Sequence, residues 1–204
     1  MNLIGTNAVN MSSAATVIAG GCLVAAPAIQ AGSTFFWRDQ YQGTVAGALI
    51  VVASVCWIVG LVAVFRAIEH RVPRYAAVGL PLAVYGAIGG VCFGVQGIQE
   101  ELFGVPHSEA VSLVNLHPLA AYLAFWFPGP LFPLSLFVLG LVLARLRAVP
   151  PALGVLISVA AVVFPASRIP REPMVAHLAD LLLLVPFTVL GVRMALAARR
   201  PAVD

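Results

Sequence analysis

The sequence predicts an all-α fold: a single domain over residues 1–204 that is a polytopic membrane bundle of six transmembrane helices. Three observations carry this. Hydrophobic residues fill 61% of the 204 positions and charged residues 9%, with mean hydropathy +1.02, too little polar surface to clothe a water-soluble globule. The apolar residues fall into six runs, each near the length that a hydrocarbon core of roughly 30 Å demands, about 20 helical residues. Finally, eight of the 11 basic residues (Arg66, Arg71, Arg74, Arg145, Arg147, Arg193, Arg199 and Arg200) lie at the same end of alternate runs. Such sorting orients membrane proteins and predicts a cell-membrane protein with both termini cytoplasmic. Most acids lie on the other side: Asp39, Glu100, Glu101, Glu109, Glu172 and Asp180 against Glu69 and Asp204. All 11 basic residues are Arg, confined to short flanking loops instead of one basic face, which argues against nucleic acid as a partner.

The first span is read at 13–33. Its Ala26-Pro27-Ala28 resembles a signal-peptide cleavage site, but no basic segment precedes it, so the span is expected to stay; its loss would leave five spans in the same orientation. Span two, 43–66, is followed by FFWRDQYQ's counterpart on the opposite side, a run of arginines. The FFWRDQYQ segment itself places Trp37, Arg38, Asp39 and Tyr41 at the outer rim as an interfacial anchor. Span three, 76–97, carries Tyr85, Gly89, Cys92, Gln96 and Gln99 at helical spacing, a stripe expected to face inward. Its Gly90 and Gly94 form a GxxxG, a spacing that permits close helix contact. The following loop, about twenty residues, holds Glu100, Glu101, His107, Glu109 and His117, and loops of that length often act as lids. Ser108, Glu109 and AVSLVNL within it also suit a short amphipathic helix on the outer leaflet.

Span four, 119–144, contains FWFPGPLFP. Either the helix breaks at Pro128, Pro130 and Pro133, or the span begins at Pro128 after an interfacial stretch from His117 to Phe127; the second account is preferred. Spans five and six, 150–167 and 174–196, flank FPASRIPRE, whose Pro165, Pro170 and Pro173 stiffen the turn that presents Arg168. Similar segments begin at Gly60, Gly140 and Gly191 (GLVAVFRAIEHRVP, GLVLARLRAVP, GVRMALAARRP). They suggest three tandem helical hairpins, although convergent membrane stops give the same pattern.

Chemistry is expected where charge enters a span, because an ionisable group at the bilayer centre costs roughly 2.5–3.5 kcal/mol and so faces the bundle interior with a partner. Asp180 lies six residues below Met174, about 9 Å down the last helix. His177, three residues earlier, makes an acid/base pair with it conceivable, and Arg168 is its expected ion-pair partner. A register-holding ion pair explains the same residues equally well. Gln96, Gln99, Tyr122, Phe125, Trp126 and Phe127 complete a candidate substrate pocket in the outer third. Three classes of function follow. One is an intramembrane acid/base enzyme of cyclase or isomerase type acting on a membrane lipid or isoprenoid, with Asp180 and His177 catalytic and aromatic walls stabilising developing positive charge. Another is a proton-coupled small-molecule transporter or channel, for which six helices imply a homo-oligomer. The last is a non-catalytic scaffold or accessory subunit. No nucleotide motif or HxxxH, HExxH or CxxC spacing occurs, so neither cofactor nor metal is expected; Cys22, Cys56 and Cys92 are read as packing residues.

Overall fold

The computed structural model describes residues 11–37, 42–169 and 172–199. Arg38, Asp39 and Tyr41 of the expected rim anchor, Pro170 and Arg171 of the turn, and Arg200 and Asp204 lie outside the described residues. The described chain is helical: α1 (Ser13–Thr34), α2 (Thr44–Glu69), α3 (Pro73–Phe103), α4 (His107–Asn115), α5 (Pro118–Ala121), a π turn (Tyr122–Trp126), α6 (Pro128–Arg145), α7 (Pro151–Arg168) and α8 (Pro173–Ala198). Six segments are long and apolar enough to cross a membrane, the fourth running continuously over Pro118–Arg145.

Local chemistry sets the ends. Ser12 caps α1 by accepting from the Ala15 N–H at 3.2 Å. Prolines occupy the first turn of α3, α5, α7 and α8, where a missing N–H costs nothing because that donor has no helical partner. Pro73 and Pro151, beyond the first two groups of arginines, thus start the next helix. Gly104, at φ +64°, closes α3 in the left-handed conformation that glycine adopts without penalty.

The long helices pack as a closed up-and-down ring: α1 against α2, α2 against α3, α3 against α6, α6 against α7, α7 against α8, and α8 back onto α1. Without a hydrophobic drive between helices in lipid, close backbone approach supplies the packing. Glycines permit it at four of these seams, one of them α3 against α6, where a Cβ added at Gly86 would lie 2.4 Å from the Phe132 backbone nitrogen. An added Cβ would sit 2.5 Å from the Gly191 carbonyl oxygen at Gly20, 2.3 Å from that of Gly94 at Gly47, and 2.5 Å from that of Gly154 at Gly140. Gly94 of the GxxxG thus makes a backbone contact, whereas Gly90 faces the Ser54 side chain. Gly140 and Gly191 from the three similar segments are both at seams, while Gly60 packs on Leu23.

Half the ring is filled. Leu23, Leu61, Leu136, Leu139, Leu143, Ile157 and Leu190 are fully buried in the half nearer the start of α1 and the end of α8, the terminal face. On it, Arg71 donates to the Leu146 carbonyl oxygen at 2.7 Å, tying two arginine-bearing turns together. The opposite, mouth face carries α4 and the polar residues.

Two expectations are corrected. The third span does not end near residue 97: α3 continues to Phe103, so Glu100 and Glu101 are helical, and α4 fills most of the supposed loop, starting after Pro106 instead of Ser108. Helix α6 does run from Pro128 to Arg145, as the preferred account has it, but the apolar helical span that contains it begins before Pro128. It starts at Pro118 and passes the prolines through a π turn, in which the Phe127 N–H reaches the Tyr122 carbonyl at 2.9 Å. That shift strands the Leu123 carbonyl, whose next donor would be the N–H that Pro128 lacks. The Tyr85 hydroxyl donates to it at 2.6 Å, which is how a proline-interrupted helix survives inside a membrane.

Candidate functional site

At the mouth face, four helices converge on one carboxylate. Asp180, in the second turn of α8, is 1% exposed. Helix α1 presents Gln30 and Thr34 one turn apart on the same face. The Thr34 hydroxyl donates to Asp180 Oδ2 at 2.8 Å, and Gln30 Nε2 lies 3.5 Å from Oδ1. Arg168, the last residue of α7, forms a salt bridge with Oδ1, and its other terminal nitrogen donates to Thr34 Oγ1 at 3.2 Å. One hydroxyl accepting from the guanidinium and donating to the carboxylate closes a three-membered cycle. The Trp57 indole N–H donates to Gln30 Oε1 at 3.0 Å and extends the network to α2. The guanidinium carbon stands 4.9 Å from the Trp37 ring centre and 5.1 Å from that of Phe164, so Arg168 is sandwiched by π faces as well as paired.

A second polar cluster joins α3 to α4. Glu100, 1% exposed, takes Gln96 Nε2 at 3.3 Å and His107 Nδ1 at 2.6 Å on one oxygen. The neighbouring Glu101 accepts from the Thr44 N–H, placing negative charge at the start of α2, where the helix dipole favours it.

Between the two clusters lies a cavity of about 500 Å³, within the usual range for small-molecule sites. Gln30, Gln42, His107 and Arg168 supply polar groups to its lining. Its body is apolar and aromatic, with Phe93, Phe125, Trp126, Phe132 and Phe164 on the walls. Trp57 and Phe132, edge to face with ring centres 5.5 Å apart, stand at its deep end above the leucine-packed half. The chain's three tryptophans, Trp37, Trp57 and Trp126, all line it.

Arg168, Phe125 and Trp126 are where the sequence reading expects them, on the cavity wall. Asp180 is paired with Arg168 as expected, but it does not line the cavity and its oxygens are committed to the network. Five expected positions differ. His177 is not among the partners of Asp180 within the described residues; its ring lies against Phe35, centres 4.4 Å apart, because the carboxylate turns towards α1 and α7 instead of along its own helix. Gln99 is exposed on the outside, since the buried face of α3 runs through Gln96 and Gly97 to Glu100. Tyr122 and Phe127, 62% and 60% exposed, point out of the bundle because the π turn rotates them away while Phe125 and Trp126 turn in. Gln96 is buried but acts on Glu100 instead of lining the cavity.

Sequence reasoning missed Gln30, Thr34, Gln42 and the pairing of Glu100 with His107. The available signal for the first two was their i, i+4 spacing as polar residues near the end of an apolar span. Among the described residues, no three His, Cys, Asp or Glu side chains gather as a metal-binding group.

Compared with protein families, curated proteins and solved structures, the chain matches none of them. Fold and composition define a polytopic, multi-pass membrane protein, with a half-filled ring of six helices and a largely apolar cavity inside it.

Proposed function

We propose that the protein is an intramembrane acid/base enzyme, of isomerase or cyclase type, acting on a lipid or isoprenoid-like molecule held inside the ring. The observation that carries this reading is the cavity: about 500 Å³, mostly apolar and aromatic in its lining, with a cation and a few hydrogen-bonding groups among the lining residues. An amphiphile has the same polarity profile. The candidate proton-transfer group is His107, which lines the cavity and is oriented through Nδ1 by the buried Glu100. A carboxylate in that position fixes the orientation of the imidazole. The imidazole would take a proton from one position of the substrate and return one to another, a redox-neutral rearrangement that needs no co-reactant. Phe125, Trp126, Phe132 and Phe164 would stabilise positive charge developing in the chain. In this reading Asp180 is a positioning residue, holding Arg168 at the head-group end. His177 has no part in it.

The leucine-packed floor argues against a transport path across the bundle, because that half contains fully buried side chains where a transporter needs a second opening. The proposed orientation puts the arginine-rich terminal face in the cytoplasm of a cell membrane, so the mouth opens outward.

The test is turnover of membrane-extracted lipid by the purified protein in detergent, with products read by mass spectrometry. Product formation without any ion gradient, abolished in His107→Gln, supports the enzyme reading. Gradient-dependent solute movement in vesicles, with no turnover in detergent, would replace it by transport.

A further inference from the structure

The unused side of Arg168 specifies the head group that an occupant of the cavity carries, an inference that rests on the cavity-binding reading above. A guanidinium has five N–H groups and no acceptor. Two of the five are spent, one terminal nitrogen on Asp180 and the other on Thr34. The Nε–H and one hydrogen on each terminal nitrogen have no acceptor among the described residues. Arg168 lines the cavity whereas Asp180 and Thr34 do not, so the two acceptors hold the guanidinium from behind and leave its unused hydrogens on the cavity side. Its two faces lie against the Trp37 and Phe164 rings, which leaves the in-plane edge for a ligand. That edge is open. Among the described residues, Trp37 Nε1 is the buried side-chain polar atom without a partner; Arg168 Nε is not sealed in this way, and the side chain keeps 17% of its surface accessible.

The order of the charges is a second observation. Apart from His107, Arg168 is the one ionisable residue among those lining the cavity, because the carboxylates of Asp180 and Glu100 both lie behind the wall. An oxyanion arriving from the cavity meets the cation first and the Asp180 carboxylate at roughly twice the distance, so by the inverse-distance law about half of the attraction survives the repulsion. Hydrogen bonds from the guanidinium to an ionised oxygen are also about twice as strong as neutral ones. A cationic head group meets the charges in the reverse order and is repelled.

We propose that the cavity binds an amphiphile through an oxyanion, a carboxylate or a phosphate, whose oxygens accept from the Nε–H and a terminal N–H of Arg168 in the plane of the guanidinium. The apolar chain lies along Phe93, Phe125 and Phe132. Asp180 and Thr34 are positioning residues: they touch no ligand, and they fix the angle at which the donor edge faces the cavity. The same carboxylate keeps the guanidinium from being an uncompensated charge when nothing is bound.

The experiment compares farnesoate, farnesyl phosphate and farnesol, which share a chain and differ in the head, on the full chain in phosphatidylcholine nanodiscs at pH 8. Concentrations are expressed as mole fraction in the bilayer after measured partitioning. Intrinsic fluorescence is the readout, because all three tryptophans line the cavity. The wild type is expected to bind at least one of the two anions about tenfold or more tighter than farnesol, the fold-change of a charge-assisted over a neutral contact. The tighter of the two anions identifies the head as carboxylate or phosphate. Arg168→Gln should lose about tenfold or more for that anion and keep farnesol within about threefold, which separates the cavity from the arginines of the terminal face, since those are unchanged. If Arg168→Gln does not fold, Asp180→Asn/Arg168→Gln, which strands no ion, replaces it with the same expectation. Farnesol binding as tightly as both anions, or an anion preference that survives loss of Arg168, would overturn the head-group assignment and leave the cavity reading intact. Binding of none of the three would overturn both.

Discussion

Replacing Asp180 by Asn removes one charge from a pair whose side chains are 1% and 17% exposed, and its cost follows from what Arg168 is left with. Breaking a fully buried pair from one side costs about 3–5 kcal/mol, nearly all of it the desolvated charge left behind. Three features lower that figure here. Asn keeps an oxygen for the Thr34 hydroxyl, which sits 2.8 Å from Oδ2. Arg168 keeps its contacts with the Trp37 and Phe164 faces. It also ends α7 at the mouth, where a long side chain can swing its head to water. The expected destabilisation is therefore about 2–3 kcal/mol, with a similar loss for Arg168→Gln. Removing both charges leaves no stranded ion, so Asp180→Asn/Arg168→Gln should cost less than the sum of the singles by at least about 1 kcal/mol. The assay is reversible unfolding in mixed micelles across the four members of the cycle, followed by far-ultraviolet circular dichroism. Additive losses would refute the claim that this pair acts as one unit holding α7, α8 and α1 in register.

Three further outcomes follow from named contacts. Gly47→Val puts a side chain 2.3 Å from the Gly94 carbonyl oxygen and should destabilise more than Gly21→Val, where a Cβ meets nothing within 4 Å, by about 1–3 kcal/mol in the same unfolding assay. Tyr85→Phe strands the Leu123 carbonyl; hydrogen bonds in membrane bundles average about 0.6 kcal/mol, but this one has no alternative donor, so the loss should approach about 1–2 kcal/mol. Glu100→Gln should disorder the imidazole of His107 without removing it, giving turnover far below wild type but above His107→Gln; equal turnover in Glu100→Gln and wild type would remove Glu100 from the proposed mechanism.

How far the molecule could be read from its residues depended on whether the informative signal was periodic or pairwise. Six spans, their approximate ends and their alternation come from apolar run length and arginine sorting, both of which act one segment at a time. The ion pair was legible for the same reason: a carboxylate inside a span demands a cation, and Arg168 sits on the proline-stiffened turn on the same side. Pairwise facts were not legible. Whether Asp180 turned along its own helix to His177 or across to Thr34 and Gln30 depends on the angle at which α1 crosses α8, set by the Gly20–Gly191 contact. Gln99 and Glu100 are a single helical step apart, and a small rotation of α3 decided which was buried. FWFPGPLFP was read as a break or, by preference, as a span start at Pro128, because its prolines remove backbone donors. The π turn and the Tyr85 hydroxyl, 38 residues away in sequence, are what make a continuous path affordable.

The most direct measurement of the central claim, that the half-filled ring holds one hydrophobic molecule, is native mass spectrometry of the chain purified from membranes in mild detergent. Ser54→Phe is the control, since Ser54 lines the cavity and its hydroxyl bonds only to its own helix at Ile50, 2.8 Å away. The wild type should retain a single tightly held adduct per chain, of one mass and soluble in organic solvent, and Ser54→Phe should fold and lose it. A bare wild-type chain, or an adduct that Ser54→Phe retains in full, would contradict the account.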